Sequence, residues 1–138
     1  EQRITSHTQA IIINSPNNPS GVVYTEETLR GLAVLLERKS AEYGHPIYII
    51  ADEPYRELVY GDVTVPFIPC LYRNTIVCYS YSKSLSLPGE RIGYVYVPGF
   101  ADDSAAVYAA VSGAARVMGH VCPIWWLTTR TATCCTTA

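Results

Sequence analysis

The chain has 138 residues, of which 49% are hydrophobic and 16% charged, and its formal net charge is -2. This length and composition indicate one globular domain rather than a disordered chain. The small net charge argues against a nucleic-acid surface or a polybasic membrane patch, and the apolar runs are too short to span a bilayer. We therefore expect no nucleic-acid partner and no membrane partner, and we also predict a cytoplasmic location.

The first 51 residues have the pattern of a strand, a helix and a second strand. Residues 9–14 and 47–51 are short, β-branched apolar runs, which is typical of strands buried on both faces. Between them, Thr25 is a good helix N-cap and Gly44 a good C-cap. The apolar residues of this helix repeat at helical spacing: Leu29, Leu32, Ala33 and Leu36. The pattern predicts a βαβ unit with parallel strands.

Two further strands and a helix are predicted in the second half of the chain. Residues 75–79 form a third strand that ends in a polar loop at 80–83, and residues 92–97 form a fourth. The fourth follows too soon for a helical crossover, so we expect it to run antiparallel to the third or to be reached by a loop. Asp102 or Asp103 should cap a last helix that continues to about Val117. The fold class is therefore α/β, with a mixed, mainly parallel sheet.

The composition changes after residue 121. Residues 128–138 contain six threonines in eleven positions and have no amphipathic period. We expect residues 1–121 to form the domain and residues 122–138 to be a tail that is disordered or foreign to the fold. The number of cysteines is odd and none has a zinc-ligand spacing, so we predict reduced thiols, with Cys78 packed as a small hydrophobe, and no metal site.

Polar side chains follow all three predicted parallel strands, at the edge where ligands bind in open α/β sheets. They are Asn18 after the first strand, Asp52 and Tyr55 after the second, and Ser80, Ser82 and Lys83 after the third, with Arg91 eight residues beyond the lysine. Each alone has an ordinary explanation, such as a turn asparagine or a solvated lysine. Together they suit an aldehyde cofactor that carries a ring nitrogen and a phosphate, because an amine, a carboxylate, a phenol and hydroxyls each have a partner on it.

Three segments of the chain resemble one enzyme family. Residues 80–93, S-Y-S-K-S-L-S-L-P-G-E-R-I-G, resemble the lysine signature of the class I/II aminotransferases, which are fold-type I pyridoxal-phosphate enzymes. Residues 16–21, P-N-N-P-S-G, resemble the family's N-P-x-N-P-T/S-G segment, and residues 51–55, A-D-E-P-Y, its D-E-x-Y segment. Ser15 departs from the pattern, since the family usually has Asn there. The three segments occur in the family's order.

The resemblance implies pyridoxal 5'-phosphate as cofactor and a role for each matched residue. Lys83 would be the Schiff-base lysine and later proton shuttle. The other contacts would be Asp52 with the pyridine nitrogen, Asn18 and Tyr55 with the ring 3-hydroxyl, and Ser80, Ser82 and Arg91 with the phosphate. The implied fold is a three-layer αβα domain, mainly parallel with one antiparallel strand, as in the large domain of these transferases.

The resemblance also implies amino acid and 2-oxo acid substrates and a homodimer for the full-length protein. The chain does not start with Met, and we expect it to be the central part of a larger enzyme. The family's phosphate loop would lie before this segment, and its carboxylate-binding arginine after it. Three functions stay open: an aminotransferase, a pyridoxal-phosphate-dependent β-C–S lyase of the same family, or a non-catalytic truncated fragment.

Overall fold

A computed structural model describes residues 1–119 and 124–127 of the chain. In this part of the chain the strands are β1 (Ala10–Asn14), β2 (Tyr48–Asp52), β3 (Thr75–Ser80), β4 (Gly93–Pro98) and β5 (Ile124–Leu127). They form one sheet in the order β1-β2-β3-β4-β5. Strands β1, β2 and β3 are parallel, β4 runs antiparallel to β3, and β5 is parallel to β4. The predicted βαβ unit and the antiparallel fourth strand are confirmed.

The first helix, α1 (Glu26–Tyr43), begins and ends at the predicted caps. The Thr25 hydroxyl accepts a hydrogen bond from the backbone N–H of Thr28 at 3.2 Å. Gly44 ends the helix with a φ of 74°, in the left-handed region that glycine adopts without a Cβ penalty. Local sequence signals therefore determine both ends of α1.

Helix α1 packs on one face of the sheet and forms the core there. The buried residues of this core include Leu29, Leu36, Ile13, Ile49, Ala51 and Val77. The expectation that β1 is buried on both faces is wrong, because Ile12, on the opposite face, is 72% exposed. The physical reason is coverage: within the described residues, α1 packs on the face of β1 that carries Ile13, and the helix α3 (Ser104–Val117) contacts β4 and β5 at the far edge of the sheet.

Two local predictions need correction. The segment predicted as a polar loop after β3 forms a short helix, α2 (Tyr81–Ser84), because the Ser80 hydroxyl accepts from the backbone N–H of Ser82 at 3.2 Å and caps it. Helix α3 begins after Asp103, but the Asp103 side chain makes no capping hydrogen bond. The neighbouring carboxylate of Asp102 accepts instead from Asn74 Nδ2 at 2.9 Å.

The prediction of a separate tail at 122–138 falls mostly outside the described residues. Within that range the structure describes Ile124–Leu127, which pairs with β4 as strand β5. A disordered or foreign tail thus stays a prediction. Among the described residues, no helix combines the length and apolar character needed to cross a membrane.

Candidate functional site

The carboxyl ends of β1, β2 and β3 lie side by side. The strand register pairs Asn14, the last residue of β1, with Asp52, the last residue of β2, and it pairs Asp52 with Cys78, two residues before the end of β3. Because the strands are parallel, the loop after β1, the turn after β2 and helix α2 all leave the sheet at the same edge. The predicted site residues are therefore carried on three adjacent segments.

The first two segments meet through Asn18 and Tyr55. Asn18 Nδ2 donates a hydrogen bond to the Tyr55 hydroxyl at 2.8 Å. The loop that carries Asn18 is closed by two backbone hydrogen bonds, from Asn17 N to Val22 O at 2.9 Å and from Gly21 N to Asn17 O at 2.7 Å. The structure thus brings together the amide and the phenol that the family resemblance assigns to the ring 3-hydroxyl of the cofactor.

The Asp52 carboxylate is held by a residue that the sequence analysis missed. Asn14 Nδ2 donates to Asp52 Oδ2 at 3.2 Å and to the Asp52 backbone oxygen at 3.0 Å. Asp52 is half-buried, and burial raises the pKa of its carboxyl. The sequence does show that Asn14 is a polar residue at the end of an apolar strand, but it does not show that its partner is Asp52.

Lys83 lies on α2, directly after the end of β3. Its Nζ is 5.7 Å from the centroid of the Tyr55 ring, within the range of a cation–π contact. On the same turn, the Ser80 hydroxyl donates to the Ser82 hydroxyl at 2.7 Å. The amine therefore lies next to the Asn18–Tyr55 pair, and the two hydroxyls lie together at the start of its helix.

Arg91 does not join this group in the structure. Its side chain is exposed, and Nη1 donates to the Pro88 backbone oxygen at 3.2 Å, within its own loop. Its φ is 54°, a left-handed conformation that costs a non-glycine residue roughly 1–2 kcal/mol. Such strained residues cluster at functional sites. The other N–H groups of the guanidinium are available for a further acceptor such as a phosphate.

A buried ion pair supports the turn between Asp52 and Tyr55. Glu53 is 2% exposed, and its Oε2 lies 2.8 Å from Arg56 Nη1. Arg56 Nη2 also donates to the Val65 backbone oxygen at 2.9 Å, so the pair ties the turn to the following loop. Burial raises the pKa of the Glu53 carboxyl, and the Arg56 guanidinium partly opposes that rise. Glu53 is a second supporting residue that motif reasoning did not assign.

A cleft of about 450 Å³ lies beside the Asn18–Tyr55 pair. It runs between the loop after β1 and the loop after β2, and its walls include Pro19, Leu58 and Tyr60. This volume is within the range of small-molecule sites, which are mostly apolar with a few placed polar groups. The site edge therefore offers both polar contacts and an apolar wall.

Comparison with known proteins gives consistent matches. The family model for aminotransferase class I and II matches residues 1–137. The chain is 38% identical over 116 residues to a probable aspartate/prephenate aminotransferase of Aquifex aeolicus, covering 81% of this chain and 27% of that protein. A crystal structure of an aminotransferase from Eubacterium rectale is 65% identical with a TM-score of 0.84, covering 88% of this chain and 30% of that one. An aspartate aminotransferase mutant from Thermus thermophilus is 29% identical with a TM-score of 0.62, covering 85% and 28% of the two chains.

The mixed sheet, with an amine, a carboxylate, an amide and a phenol carried at adjacent strand ends, defines an α/β domain. The family match covers nearly the whole chain, and the chain belongs to the class I and II aminotransferases. Its fold is that of the large domain of these fold-type I enzymes. The chain spans between a quarter and a third of the length of the two relatives cited first.

Proposed function

We propose that the full-length protein is a pyridoxal-phosphate-dependent aminotransferase that moves an amino group between an amino acid and a 2-oxo acid. The observation that carries this proposal is the placement of Lys83 beside the Asn18–Tyr55 pair, at the strand edge where Asp52 ends β2. The curated relatives support it, since those reported above are named as aminotransferases.

The donor set fits the ring end of pyridoxal phosphate. A carboxylate held by an amide suits a protonated ring nitrogen, and a paired amide and phenol suit a ring hydroxyl. The hydroxyls of Ser80 and Ser82 suit phosphate oxygens, and the exposed Arg91 guanidinium would add a charged donor at that end. The chemistry of the residues therefore fits the cofactor more fully at the ring than at the phosphate.

Each residue then has a defined task. Lys83 Nζ would hold the cofactor at its aldehyde, and as a free amine it would take and return the proton at the substrate Cα. Asp52 would keep the proton on the ring nitrogen, and Asn18 and Tyr55 would fix the plane of the ring. The bound cofactor supplies the electron sink that stabilises charge at Cα.

The test compares the chain's two lysines, Lys83 and Lys39. Lys39 lies on α1 and pairs with Glu42, so Lys39→Ala is a matched control. With pyridoxal phosphate, we expect the visible band of lysine-bound cofactor in the parent chain and in Lys39→Ala, and its loss in Lys83→Ala. A band that survives in Lys83→Ala would refute the role of this lysine.

The reaction type is tested on the full-length protein. Addition of an amino acid should convert the bound cofactor to its amino form and release a 2-oxo acid. Release of pyruvate and ammonia from cystathionine without amino transfer would instead identify a β-C–S lyase. In the 138-residue chain itself, a band without amino transfer from any amino acid would favour the non-catalytic fragment. The homodimer and the cytoplasmic location also stay proposals for the full-length protein.

A further inference from the structure

The side-chain amide of Asn14 uses all of its hydrogen-bonding capacity at the site. Nδ2 donates twice, to the Asp52 backbone oxygen at 3.0 Å and to Asp52 Oδ2 at 3.2 Å. Oδ1 accepts twice, from the backbone N–H of Asn18 at 2.8 Å and from Asn17 Nδ2 at 3.3 Å. An amide has two donors and two lone pairs, so this one is fully satisfied.

The contacts fix the orientation of this amide. A flipped Asn14 would place Oδ1 against the oxygens of Asp52 and its N–H groups against the donors of Asn17 and Asn18. Both ends would then be repulsive. The strand register also places Asn14 directly beside Asp52, so the contact follows from the pairing of β1 with β2.

We infer that Asn14 is a positioning residue whose amide aims the Asp52 carboxylate and, through its oxygen, fixes the loop that presents Asn18 to Tyr55. The inference rests on the proposed function, in which a charged and correctly oriented Asp52 carboxylate pairs with the protonated ring nitrogen of the cofactor. One side chain thereby couples the contacts assigned to the ring nitrogen and to the 3-hydroxyl of the cofactor. Asn14 itself need not touch the cofactor.

The effect on Asp52 has a clear sign. Burial favours the neutral carboxyl and raises its pKa, whereas a hydrogen bond donated by Asn14 favours the charged form. The neighbouring segments also carry titratable side chains: Tyr79 and Cys78 on β3, the Glu53–Arg56 pair and Tyr55 in the turn after β2, and Tyr81 and Lys83 on α2. Asn14 is uncharged, so its removal changes a hydrogen bond to Asp52 and not the net charge of the site.

The test begins with the cofactor-free chain. Carbon-13 NMR follows the titration of the Asp52 carboxyl, and the Asn14 side-chain proton signals of the unmodified chain should titrate together with it. In Asn14→Leu we expect the pKa of Asp52 to rise. In Asn14→Asp, which keeps an acceptor for Asn18, we expect a further rise because two carboxylates then face each other.

Asn74→Leu is the matched control. Asn74 is a buried asparagine whose side chain donates to Asp102 Oδ2 at 2.9 Å and accepts from Asp102 N at 2.8 Å, at the start of β3. This variant should lose stability and leave the Asp52 titration unchanged. Asn14→Leu should also weaken pyridoxal phosphate binding about tenfold, since a hydrogen bond to a charged group is lost, and Asn74→Leu should not.

Three results would overturn the inference: Asn14 signals that ignore the Asp52 titration, a folded Asn14 variant with the parent pKa at Asp52, or an equal shift in Asn74→Leu. Because the titration uses no cofactor, these failures concern Asn14 alone. A parent chain that does not bind pyridoxal phosphate would instead refute the proposed function.

Discussion

Gly93 is the first residue of strand β4 and pairs with Ser80, the last residue of β3. A Cβ at this position would lie 2.2 Å from the Tyr79 backbone oxygen and 3.2 Å from Ser80 Cα. Real Cβ atoms essentially never approach closer than 3.0 Å, so Gly93→Ala must separate the two backbones by about 0.8 Å. The obstacle is backbone, which cannot swing aside as a flexible side chain can.

The size of the effect follows from two costs. Overpacking of this kind costs about 1–3 kcal/mol, and loss of one ladder hydrogen bond adds about 1 kcal/mol. We therefore expect Gly93→Ala to lower the free energy of unfolding by about 2–4 kcal/mol. Since β3 leads directly into α2, the variant should also weaken pyridoxal phosphate binding through Ser80 and Lys83.

Urea denaturation monitored by circular dichroism measures this effect. Gly31→Ala is the control, because Gly31 lies in α1 and the alanine methyl would meet no atom within 4 Å outside its own turn of helix. It should raise stability by about 0.5–1 kcal/mol, as glycine is a poor residue inside a helix. A Gly93→Ala chain as stable as the parent would refute the close approach of β3 and β4.

Three further predictions concern the core, a cap and a buried acid. Leu36→Ala should cost about 2–5 kcal/mol in urea denaturation, because Leu36 is fully buried; a loss below about 1 kcal/mol would contradict its place in the core. Thr25→Ala should cost about 1 kcal/mol and fray the start of α1 in hydrogen exchange, whereas an unchanged rate at Thr28 would speak against the cap. Burial raises the pKa of Glu53 in the folded chain above its ordinary value of 4.5. The protonated Glu53 therefore makes its full contribution to the free energy of unfolding below pH 4.5, and this contribution is lost as the pH rises through the pKa of the folded chain. Glu53→Gln should flatten this decline in unfolding free energy, and equal slopes in both chains would contradict it.

The sequence predicted the parts of the fold that depend on local signals. Helix α1 was predicted from Thr25, Gly44 and the spacing of its apolar residues, and these act within one turn of the chain. The antiparallel β4 was predicted from the short connection after β3. Burial of Ile12 was predicted wrongly, because exposure depends on what covers a face and the composition of a strand does not contain that information.

The site shows the same division. Motifs predicted Asn18, Tyr55 and Lys83 as site residues, and in the structure Asn18 and Lys83 both lie next to Tyr55. The contact of Asn14 with Asp52 joins residues 38 positions apart and appears only once the register of β1 and β2 is known. Arg91 donates to the Pro88 backbone oxygen within its own loop. The conformation of that loop decides which acceptor the side chain reaches, and the spacing of Arg91 from Lys83 does not contain this information.

The central claim is that Lys83 is the amine that binds the cofactor, and borohydride trapping tests it most directly. The chain is incubated with pyridoxal phosphate, reduced, digested and mapped by mass spectrometry. Lys39 and the amino group of Glu1 are the other amines of this chain that pyridoxal phosphate could label, and the three amines lie on different peptides. We predict stoichiometric label on the peptide that contains Lys83. Label spread equally between the two lysines, or absent from Lys83, would contradict the account.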